Sequence, residues 1–256
     1  MRILSISSQV VWGPVGNSAA VPALQAMGHE VLSLPTVILS NHPGHGAPSG
    51  LQLPAEDMAR MLESLLARGA LNGLDAVLTG YFASSQQVEE VDKLLNRINV
   101  PYLLVDPVLG DHGRLYVAED VAEAIRGLLL PHANCITPNV FELGYLSGAD
   151  VTDEARAIAA ARKLGVAEVL ATSVPAKDGG LATLLVTPDD VHRVITPKLD
   201  KVPHGTGDFL SGLYLAERLR LPPGDAFAAA MTTLVRAIAM SAGSAVLEVA
   251  GALHAP

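Results

Sequence analysis

Cysteine, long apolar runs and aromatic side chains are scarce in this sequence of 256 residues. The one cysteine, Cys135, excludes an internal disulfide framework and a cysteine-rich zinc site, and it is typical of a reduced, cytoplasmic location. No run of about 18 apolar residues occurs, so we expect no membrane partner. Aromatic residues make up 4% of the chain and hydrophobic residues 50%, so aliphatic side chains must form the core.

Basic side chains are also few, and acidic ones outnumber them. The sequence contains 17 Lys and Arg against 26 Asp and Glu, which gives a formal net charge of −9. Such a surface repels phosphate backbones, and the basic residues are scattered rather than arranged in a stripe. We therefore expect no nucleic-acid partner.

Several motifs that carry known chemistries are absent. There is no Gly-Lys pair, which excludes a Walker A phosphate loop, and no Gly-x-Gly-x-x-Gly follows a predicted strand. His-Glu-x-x-His and Gly-x-Ser-x-Gly are missing as well, so a zinc protease or a serine hydrolase has no support. His42 and His45 are spaced like a metal pair, but because no other ligand cluster accompanies them we favour a flexible substrate loop.

Short apolar runs alternate with longer stretches of helical periodicity. The predicted strands are residues 2–7, 29–34, 76–79, 102–105, 135–137 and 168–172, followed by a hairpin of 182–187 and 191–195. The predicted helices are residues 17–27, 55–68, 84–98, 120–130, 139–146, 154–164, 206–220 and 225–241. This alternation predicts a single domain over residues 1–256, with an α/β fold that is a three-layer α/β/α sandwich around a mostly parallel central sheet.

Polar residues follow almost every predicted strand. Ligands in such sheets bind beyond the carboxyl ends of the strands, so these positions are the candidates for a site. They are Ser8, His42, Tyr81, Asp106, Asp111, Asn139, Glu142, Thr172, Ser173 and the segment 204–208.

The segment Gly205-Thr206-Gly207-Asp208 opens a long apolar helix. Two glycines allow a ligand to approach the backbone, and the unpaired N–H groups of a first helical turn attract a phosphate. A carboxylate at Asp208 would lie beside that phosphate and accept a proton from an attacking hydroxyl. The alternative is an ordinary helix start, in which Thr206 caps the helix and Asp208 complements its dipole.

Two further clusters have both a functional and a structural interpretation. Asp106 and Asp111 lie on one loop after a strand and can share a hard cation, or they belong to a solvated turn. Asn139 and Glu142 lie on one face of a helix start. Their spacing alone favours a capping box.

These clusters, in this order, resemble the ribokinase-like superfamily, and within it the pyridoxal kinase branch. The resemblance covers nearly the whole chain. Its motifs are Ser-Gln-Val-Val-Trp-Gly (8–13), Val-Gly-Asn-Ser-Ala-Ala (15–20), Ser-Asn-His (40–42), Thr-Gly-Tyr (79–81), Asp-Pro-Val-Leu-Gly-Asp (106–111), Ile-Thr-Pro-Asn with Phe-Glu (136–142) and Gly-Thr-Gly-Asp (205–208).

The resemblance implies ATP-dependent phosphorylation of the 5′-hydroxymethyl group of pyridoxal, with pyridoxine and pyridoxamine as further candidate substrates. Asp208 is then the base, and the backbone of Gly205, Thr206 and Gly207 is the anion hole. The implied substrate contacts are Ser8, His42, Pro43, Tyr81 and Asp208. The implied ATP contacts are Asp111, Tyr116, Asn139, Thr172, Ser173, Gly205 and Thr206.

The resemblance also implies cofactors and a partner. Mg²⁺ accompanies ATP, together with a monovalent cation, K⁺ or Na⁺. The implied residues around the cations are Asp106, Asp111, Thr137, Glu142 and Thr172. The family commonly forms homodimers, so a second copy of the chain is an expected partner beside the vitamer and ATP.

The sequence departs from the family around the substrate lid. Gln9 stands where the family has His, Pro43 where it has Thr, and His204 where an apolar residue is common. One alternative is a hydroxymethylpyrimidine kinase, which shares the scaffold; such enzymes commonly carry Cys in the anion-hole loop, which is absent here. The other is a non-catalytic B6-binding protein, against which the retained Asp208 and its glycines argue.

Overall fold

The structure is a computed structural model that describes residues 1–177, 179–199 and 201–254. The predicted domain, residues 1–256, also includes residues 178, 200, 255 and 256, which lie outside this described part. The strands are β1 Arg2–Trp12, β2 Glu30–Asn41, β3 Gly50–Gln52, β4 Ala76–Thr79, β5 Leu103–Val105, β6 Gly110–Asp111, β7 Arg114–Leu115, β8 Cys135–Ile136, β9 Glu168–Pro175, β10 Leu181–Val186 and β11 Val191–Thr196.

Helices connect most of these strands. They are α1 Asn17–Ala26, α2 Ala55–Ala67, α3 Ser85–Leu95, α4 Glu119–Ala124, α5 Val140–Ser147, α6 Glu154–Lys163, α7 Thr206–Arg218, α8 Pro223–Met240 and α9 Val249–His254. Shorter helical turns are Pro43–His45, Ile125–Leu129 and Leu130–His132. Within the described ranges, no helix is both long and apolar enough to cross a membrane.

Nine of the strands form one sheet in the order β11-β10-β9-β8-β5-β4-β1-β2-β3. The pairs from β9 through β8, β5, β4 and β1 to β2 are parallel. The outer pairs β2–β3, β9–β10 and β10–β11 are antiparallel, and β6 and β7 form a separate hairpin. Parallel strands require crossover helices, and the sequence supplies one between most of them. The prediction of a mostly parallel sheet is confirmed.

Helices cover both faces of the sheet, because apolar residues of alternating strand positions face opposite ways. On one face, Leu4 and Ile6 pack in a core with residues of α2, α3, α5 and α6. On the other face, Ile3 packs with residues of α1, α7, α8 and α9. The three-layer α/β/α arrangement is therefore confirmed.

Side-chain caps set several helix starts where the sequence places a short polar residue. Ser84 accepts the N–H of Gln87 at 3.3 Å and so caps α3. Asp153 caps α6 in the same way through the N–H of Arg156 at 2.9 Å. In α6, Ala157, Ala160 and Ala161 are buried at the spacing expected of one helical face.

The structure corrects the predicted ends of the first two strands, which are longer than residues 2–7 and 29–34. β1 and β2 continue side by side to Trp12 and Asn41, with a register shift between Ser7 and Gln9. The polar run Ser7-Ser8-Gln9 conceals this extension, because it interrupts the apolar pattern that marks a strand in sequence, although Ser7, Ser8 and Val10 are buried. The short strand β3, which was not predicted, pairs with β2 at this edge.

Other differences are local. The predicted helix over residues 120–130 begins at Glu119 and widens into a π-helical turn at Ile125–Leu129. Gly127 and the following Pro131 weaken regular helix there. The hairpin β6–β7 and the helix α9 were not predicted. Most remaining ends differ from the predicted ones by three residues or fewer.

A buried ion pair lies at the end of the sheet where the parallel strands begin. The candidate residues lie at the opposite end. Glu168, at the start of β9, is 5% exposed. It accepts hydrogen bonds from the hydroxyls of Tyr102 and Tyr214 at 2.5 and 2.7 Å and pairs with Arg218 at 2.8 Å. The network ties β5, β9 and α7 together.

Glu168→Gln should lower the free energy of unfolding by about 2–3 kcal/mol, because the Arg218 guanidinium loses its charged partner in a largely buried place. Urea denaturation measures this change. Glu154→Gln is the matched control; its ion pair with Arg193 lies nearer the solvent, and the change should stay below about 1 kcal/mol. Equal losses in the two variants would contradict the role given to the buried network.

Candidate active site

The turn between β1 and α1 lies against β1 without room for side chains. Gly16 has φ +55, and a Cβ there would lie 2.2 Å from Ser8 Oγ. Ser8 itself is buried at the register shift of β1. Asn17 fixes the turn by accepting the Ser5 hydroxyl at 2.7 Å and donating to the Ser7 carbonyl at 3.2 Å. The predicted substrate residue Ser8 therefore lies against a turn that close packing and hydrogen bonds hold in place.

The start of α7 packs onto the same turn. Gly205 has φ +93, a left-handed backbone conformation that favours glycine, and a Cβ there would lie 1.9 Å from the Pro14 carbonyl oxygen. No described side chain caps this helix, which differs from the capping role considered for Thr206. Gly207 is exposed, with nothing within 4 Å of the position of a Cβ. The first N–H groups of α7 are consequently accessible to a ligand.

Asp208 follows these glycines and is half-buried. Burial raises the pKa of its carboxyl group to about 6, while the backbone N–H groups of Gly16 and of Asp208 itself favour the charged form. Asp208 thus lies between the β1–α1 turn and the N-terminus of α7. A carboxylate with a pKa close to neutral is well suited to accept a proton.

A chain of hydroxyls connects α7 with the ends of β5 and β8. Ser211 Oγ donates to Asp106 Oδ2 at 2.9 Å and lies 2.9 Å from Thr137 Oγ1 and 3.0 Å from the Gly207 carbonyl oxygen. Asp106, Thr137 and Ser211 are all buried. Burial and the charges of Asp208 and Glu142 hold the pKa of Asp106 well above its usual range.

The Asn139–Glu142 pair at the start of α5 is a complete capping box, as its spacing favoured. The box does not exhaust Glu142, because Oε1 also accepts the N–H of Leu109 at 2.8 Å. Burial raises the pKa of Glu142 to about 7 against these hydrogen bonds. Asn139 Nδ2 donates to the Gly110 carbonyl at 2.8 Å. The structural interpretation is confirmed, and the same two side chains also fix the 109–110 loop.

Thr172 and Ser173 lie in a bulge of β9, where the register with β10 shifts between Ala182 and Leu184. Ser173 has φ +58, an uncommon conformation for serine, and it is exposed. The N–H of Thr172 donates to the Pro138 carbonyl at 2.9 Å, which brings this bulge beside Asn139. Such a bulge redirects side chains at the edge of a site.

Asp111 and Tyr116 flank the small hairpin β6–β7. Asp111 Oδ1 accepts the N–H of His112 at 2.7 Å, and the Tyr116 side chain is exposed. Burial, followed by the charges of Asp111 and Glu142, raises the pKa of the Tyr116 hydroxyl. These residues therefore lie on the Glu142 side of the site rather than beside Ser8.

The remaining substrate candidates lie on the Ser8 side. The N–H of Tyr81 donates to Ser7 Oγ at 3.2 Å, and burial raises the pKa of its phenol. His42 and Pro43 belong to the loop after β2, and the His42 ring packs on the His204 ring with 4.1 Å between the centroids. Tyr81 is half-buried and Pro43 is exposed.

One small pocket brings several of these groups together. It is lined by Ser7, Gly16, Ala20, Leu78, Thr79, Gly80, Asp106, Asp208 and Ser211. Among the polar side chains of this lining, Ser7, Thr79 and Ser211 were not predicted as site residues. Ser211 lies four residues after Gly207 and so shares its helix face, which is the signal that could have found it. Thr79 Oγ1 is buried beside the pocket without a hydrogen-bond partner in the described structure, and no sequence signal indicates that.

The predicted cation residues supply oxygen donors of the kind that hard cations prefer. Among the described residues, no group of three or more His, Cys, Asp or Glu is arranged to hold a metal ion by itself. Mg²⁺ is usually bound by one or two carboxylates together with substrate phosphates, so the donor set fits an ion that arrives with a nucleotide. The unpartnered Thr79 hydroxyl next to Asp106 adds an unused oxygen to this region.

Comparison with known proteins gives consistent results. A family described as phosphomethylpyrimidine kinase matches residues 13–252. A pyridoxine/pyridoxal/pyridoxamine kinase of Bordetella avium is 42% identical over 218 residues, which is 80% of this chain and 73% of that protein. The corresponding kinase of Bordetella bronchiseptica is 37% identical and covers 98% of this chain and 94% of its own length.

A solved structure agrees over the full length. Pyridoxal kinase from Leishmania donovani, in complex with ADP and pyridoxamine, superposes with a TM-score of 0.92 at 33% identity. The match covers 100% of this chain and 96% of that one. This chain therefore belongs to the phosphomethylpyrimidine kinase family, has the ribokinase-like fold of its relatives, and is a kinase.

Proposed function

We propose that this kinase transfers the γ-phosphoryl group of ATP to the 5′-hydroxymethyl group of pyridoxal, giving pyridoxal 5′-phosphate, and that pyridoxine and pyridoxamine are further substrates. The observation that carries the proposal is the position of Asp208, between the exposed N–H groups at the start of α7 and the β1–α1 turn that bears Ser8. The relatives named for these vitamers support the substrate class.

Asp208 acts as the base in this proposal. It accepts the proton of the attacking hydroxyl as the oxygen bonds to phosphorus. The pKa of about 6 supports this role, because the group is ionised at neutral pH yet remains a stronger base than an exposed aspartate.

The backbone of Gly205, Thr206 and Gly207 forms the anion hole. Its N–H groups hold the transferring phosphoryl group, and the helix dipole favours negative charge at this end. The exposure of Gly207 and the absence of a described side-chain cap on α7 support this role. Positioning and charge stabilisation are the main demands of phosphoryl transfer.

Asp111 meets Mg²⁺ with ATP. Mg²⁺, when bound, neutralises charge on the phosphates. A monovalent cation, K⁺ or Na⁺, is held among oxygen donors nearby. The residues that we assign around the cations are Asp106, Asp111, Thr137, Glu142 and Thr172. The burial of carboxylates close to one another supports the assignment, because such groups gain from a neighbouring cation.

The nucleotide lies on the Glu142 side and the vitamer on the Ser8 side. We assign ATP contacts to Asp111, Tyr116, Asn139, Thr172, Ser173, Gly205 and Thr206. We assign vitamer contacts to Ser8, His42, Pro43, Tyr81 and Asp208. The exposed Tyr116 ring and the outward bulge at Ser173 support the first set, and the half-buried Tyr81 ring beside Ser7 supports the second.

A hydroxymethylpyrimidine kinase is the second candidate, because the matching family is described as phosphomethylpyrimidine kinase. We further propose one kinase domain over residues 1–256 and a cytoplasmic location. The second is supported by the free, buried Cys135.

The purified protein, incubated with MgATP, K⁺ and pyridoxal, should form pyridoxal 5′-phosphate. The absorbance of this product measures the reaction. Asp208→Asn should lower kcat at least about 100-fold, because the amide cannot accept the hydroxyl proton. Circular dichroism checks that the variant is folded. Wild-type turnover of hydroxymethylpyrimidine in preference to pyridoxal would move the assignment to the second candidate. Vitamer binding without turnover would point to a binding protein, and full activity of the variant would overturn the base.

Ser211→Ala should weaken activation by Mg²⁺ and K⁺ about tenfold, because Asp106 loses the hydroxyl that donates to its carboxylate. Activity is measured against each cation at saturating ATP and pyridoxal. Ser147→Ala is the matched control. Ser147 is also a buried helix serine that donates to a carbonyl four residues earlier, but it lies at the C-terminal end of α5, and Glu142 lies near the start of that helix. Unchanged activation curves for Ser211→Ala would show that the hydroxyl chain does not position Asp106.

We also propose a homodimer. Val11, Ile38 and Leu51 are apolar and exposed around the β1–β2–β3 edge, and Ile38 pairs with Leu51 in register. Light scattering should give the mass of two chains for the wild type and of one for Leu51→Asp. Met61→Asp, a change at an exposed apolar residue of α2, should leave the dimer intact. A monomeric wild type would overturn the dimer, and a dimeric Leu51→Asp would place the interface elsewhere.

A further inference from the structure

Four aromatic rings meet where the loop after β2 lies over the start of α7. We call residues 42–50 the lid. His42 packs on His204 with centroids 4.1 Å apart and the rings tilted by 32°, and His45 stacks on Trp12 with centroids 4.5 Å apart. The lid is therefore attached at two points, one on the end of β1 and one on the residue that precedes Gly205.

The contact with His204 depends on glycine in the lid. A Cβ at Gly44 would lie 2.2 Å from His204 Nε2 and 2.9 Å from His42 Nδ1. Instead, the N–H of Gly44 donates to His42 Nδ1 at 3.0 Å, which leaves the proton of that ring on Nε2. The turn is closed by two further bonds, from the N–H of His45 to the His42 carbonyl at 2.9 Å and from the N–H of Gly46 to the Pro43 carbonyl at 3.1 Å.

The His42 ring is neutral at physiological pH, so it packs on His204 without charge repulsion. Burial lowers the pKa of His42 to about 4, with further lowering by His204 and His45. Burial and His45 lower the pKa of His204. The titratable groups that act on these two rings are other imidazoles, namely His204 and His45 on His42, and His45 on His204. In the described part of the chain, no group of three or more His, Cys, Asp or Glu side chains is arranged to hold a metal ion.

We propose that His204 is a positioning residue for phosphoryl transfer: its ring seats the lid directly beside the anion hole, so that the lid closes over the vitamer and excludes water from the transferring phosphoryl group. The proposal rests on the proposed function. It follows from the place of His204 in the chain, since the residue that contacts the lid is covalently joined to Gly205. Exclusion of water matters because, in an open site, water competes with the vitamer for the phosphoryl group of ATP.

The first test measures the lid without turnover. Hydrogen exchange of the amides of residues 44–46, followed by mass spectrometry, should be about three- to tenfold faster in His204→Val, which removes the stacked ring. His204→Phe keeps a flat ring and should exchange like the wild type. Gly44→Ala should also speed exchange, because its methyl group displaces the lid from His204. His132→Asn, which removes an exposed imidazole far from the lid, is the control.

The second test measures coupling in the same proteins. His204→Val and Gly44→Ala should raise KM for pyridoxal and the rate of ATP hydrolysis without vitamer, each about three- to tenfold, while kcat falls less. His204→Phe and His132→Asn should match the wild type in both. A purely structural role for His204 would lower the amount of active enzyme and leave KM and coupling unchanged.

The outcomes separate this proposal from the proposed function. Wild-type lid exchange in His204→Val, or equally fast exchange in His204→Val and His204→Phe, would overturn the role of the stacked ring. Faster exchange with unchanged KM and ATP hydrolysis would overturn the link to phosphoryl transfer. A wild-type protein that does not phosphorylate pyridoxal would contradict the proposed function. The exchange comparison would then still decide whether His204 holds the lid.

Discussion

The contact between Gly205 and the carbonyl oxygen of Pro14 is the constraint on which the site depends. A Cβ at Gly205 would lie 1.9 Å from that oxygen, so no side chain fits and the left-handed backbone adds a second reason for glycine. The contact presses the start of α7 onto the β1–α1 turn, which brings Asp208 beside Gly16. It also fixes the position of the preceding residue, His204, in front of the start of α7. The close contact between Gly205 and Pro14 therefore sets both the position of the proposed base and the place where His204 meets the lid.

The polar network behind this contact has a cost that explains its construction. Asp106 and Glu142 are buried, and burial raises the pKa of both carboxyl groups. Buried carboxylates are unfavourable unless hydrogen bonds or cations compensate them. The chain supplies part of the compensation through Ser211 and through the N–H groups of Leu109 and Asn139. The carboxylate charge that these hydrogen bonds do not compensate supports the proposed cation binding, because hard cations prefer such oxygen donors.

Sequence reasoning recovered the features that arise from periodicity and from short local motifs. The parallel sheet, the capping box at Asn139 and the polar strand ends all follow from residues within a few positions of one another. It missed Ser211, whose partner Asp106 is 105 positions away, and the bulge at Ser173, which depends on pairing with β10. It also missed the extension of β1, because buried polar residues at its start interrupt the apolar pattern. The stacking of His42 on His204 joins two loops whose separation in sequence hides their contact.

The short segment from His204 to Ser211 joins functions that the rest of the fold keeps apart. His204 faces the lid, Gly207 presents its backbone to open space, Asp208 adjoins the β1–α1 turn, and Ser211 reaches Asp106. Because α7 is also buried along most of its length, this segment is held as one rigid unit. A ligand bound at the first turn of α7 would therefore contact the same rigid unit that carries the proposed base, the serine that bonds Asp106, and the histidine that contacts the lid. In this arrangement the proposed phosphate site and the lid share one support, so the proposed closure over the vitamer requires no separate connecting element.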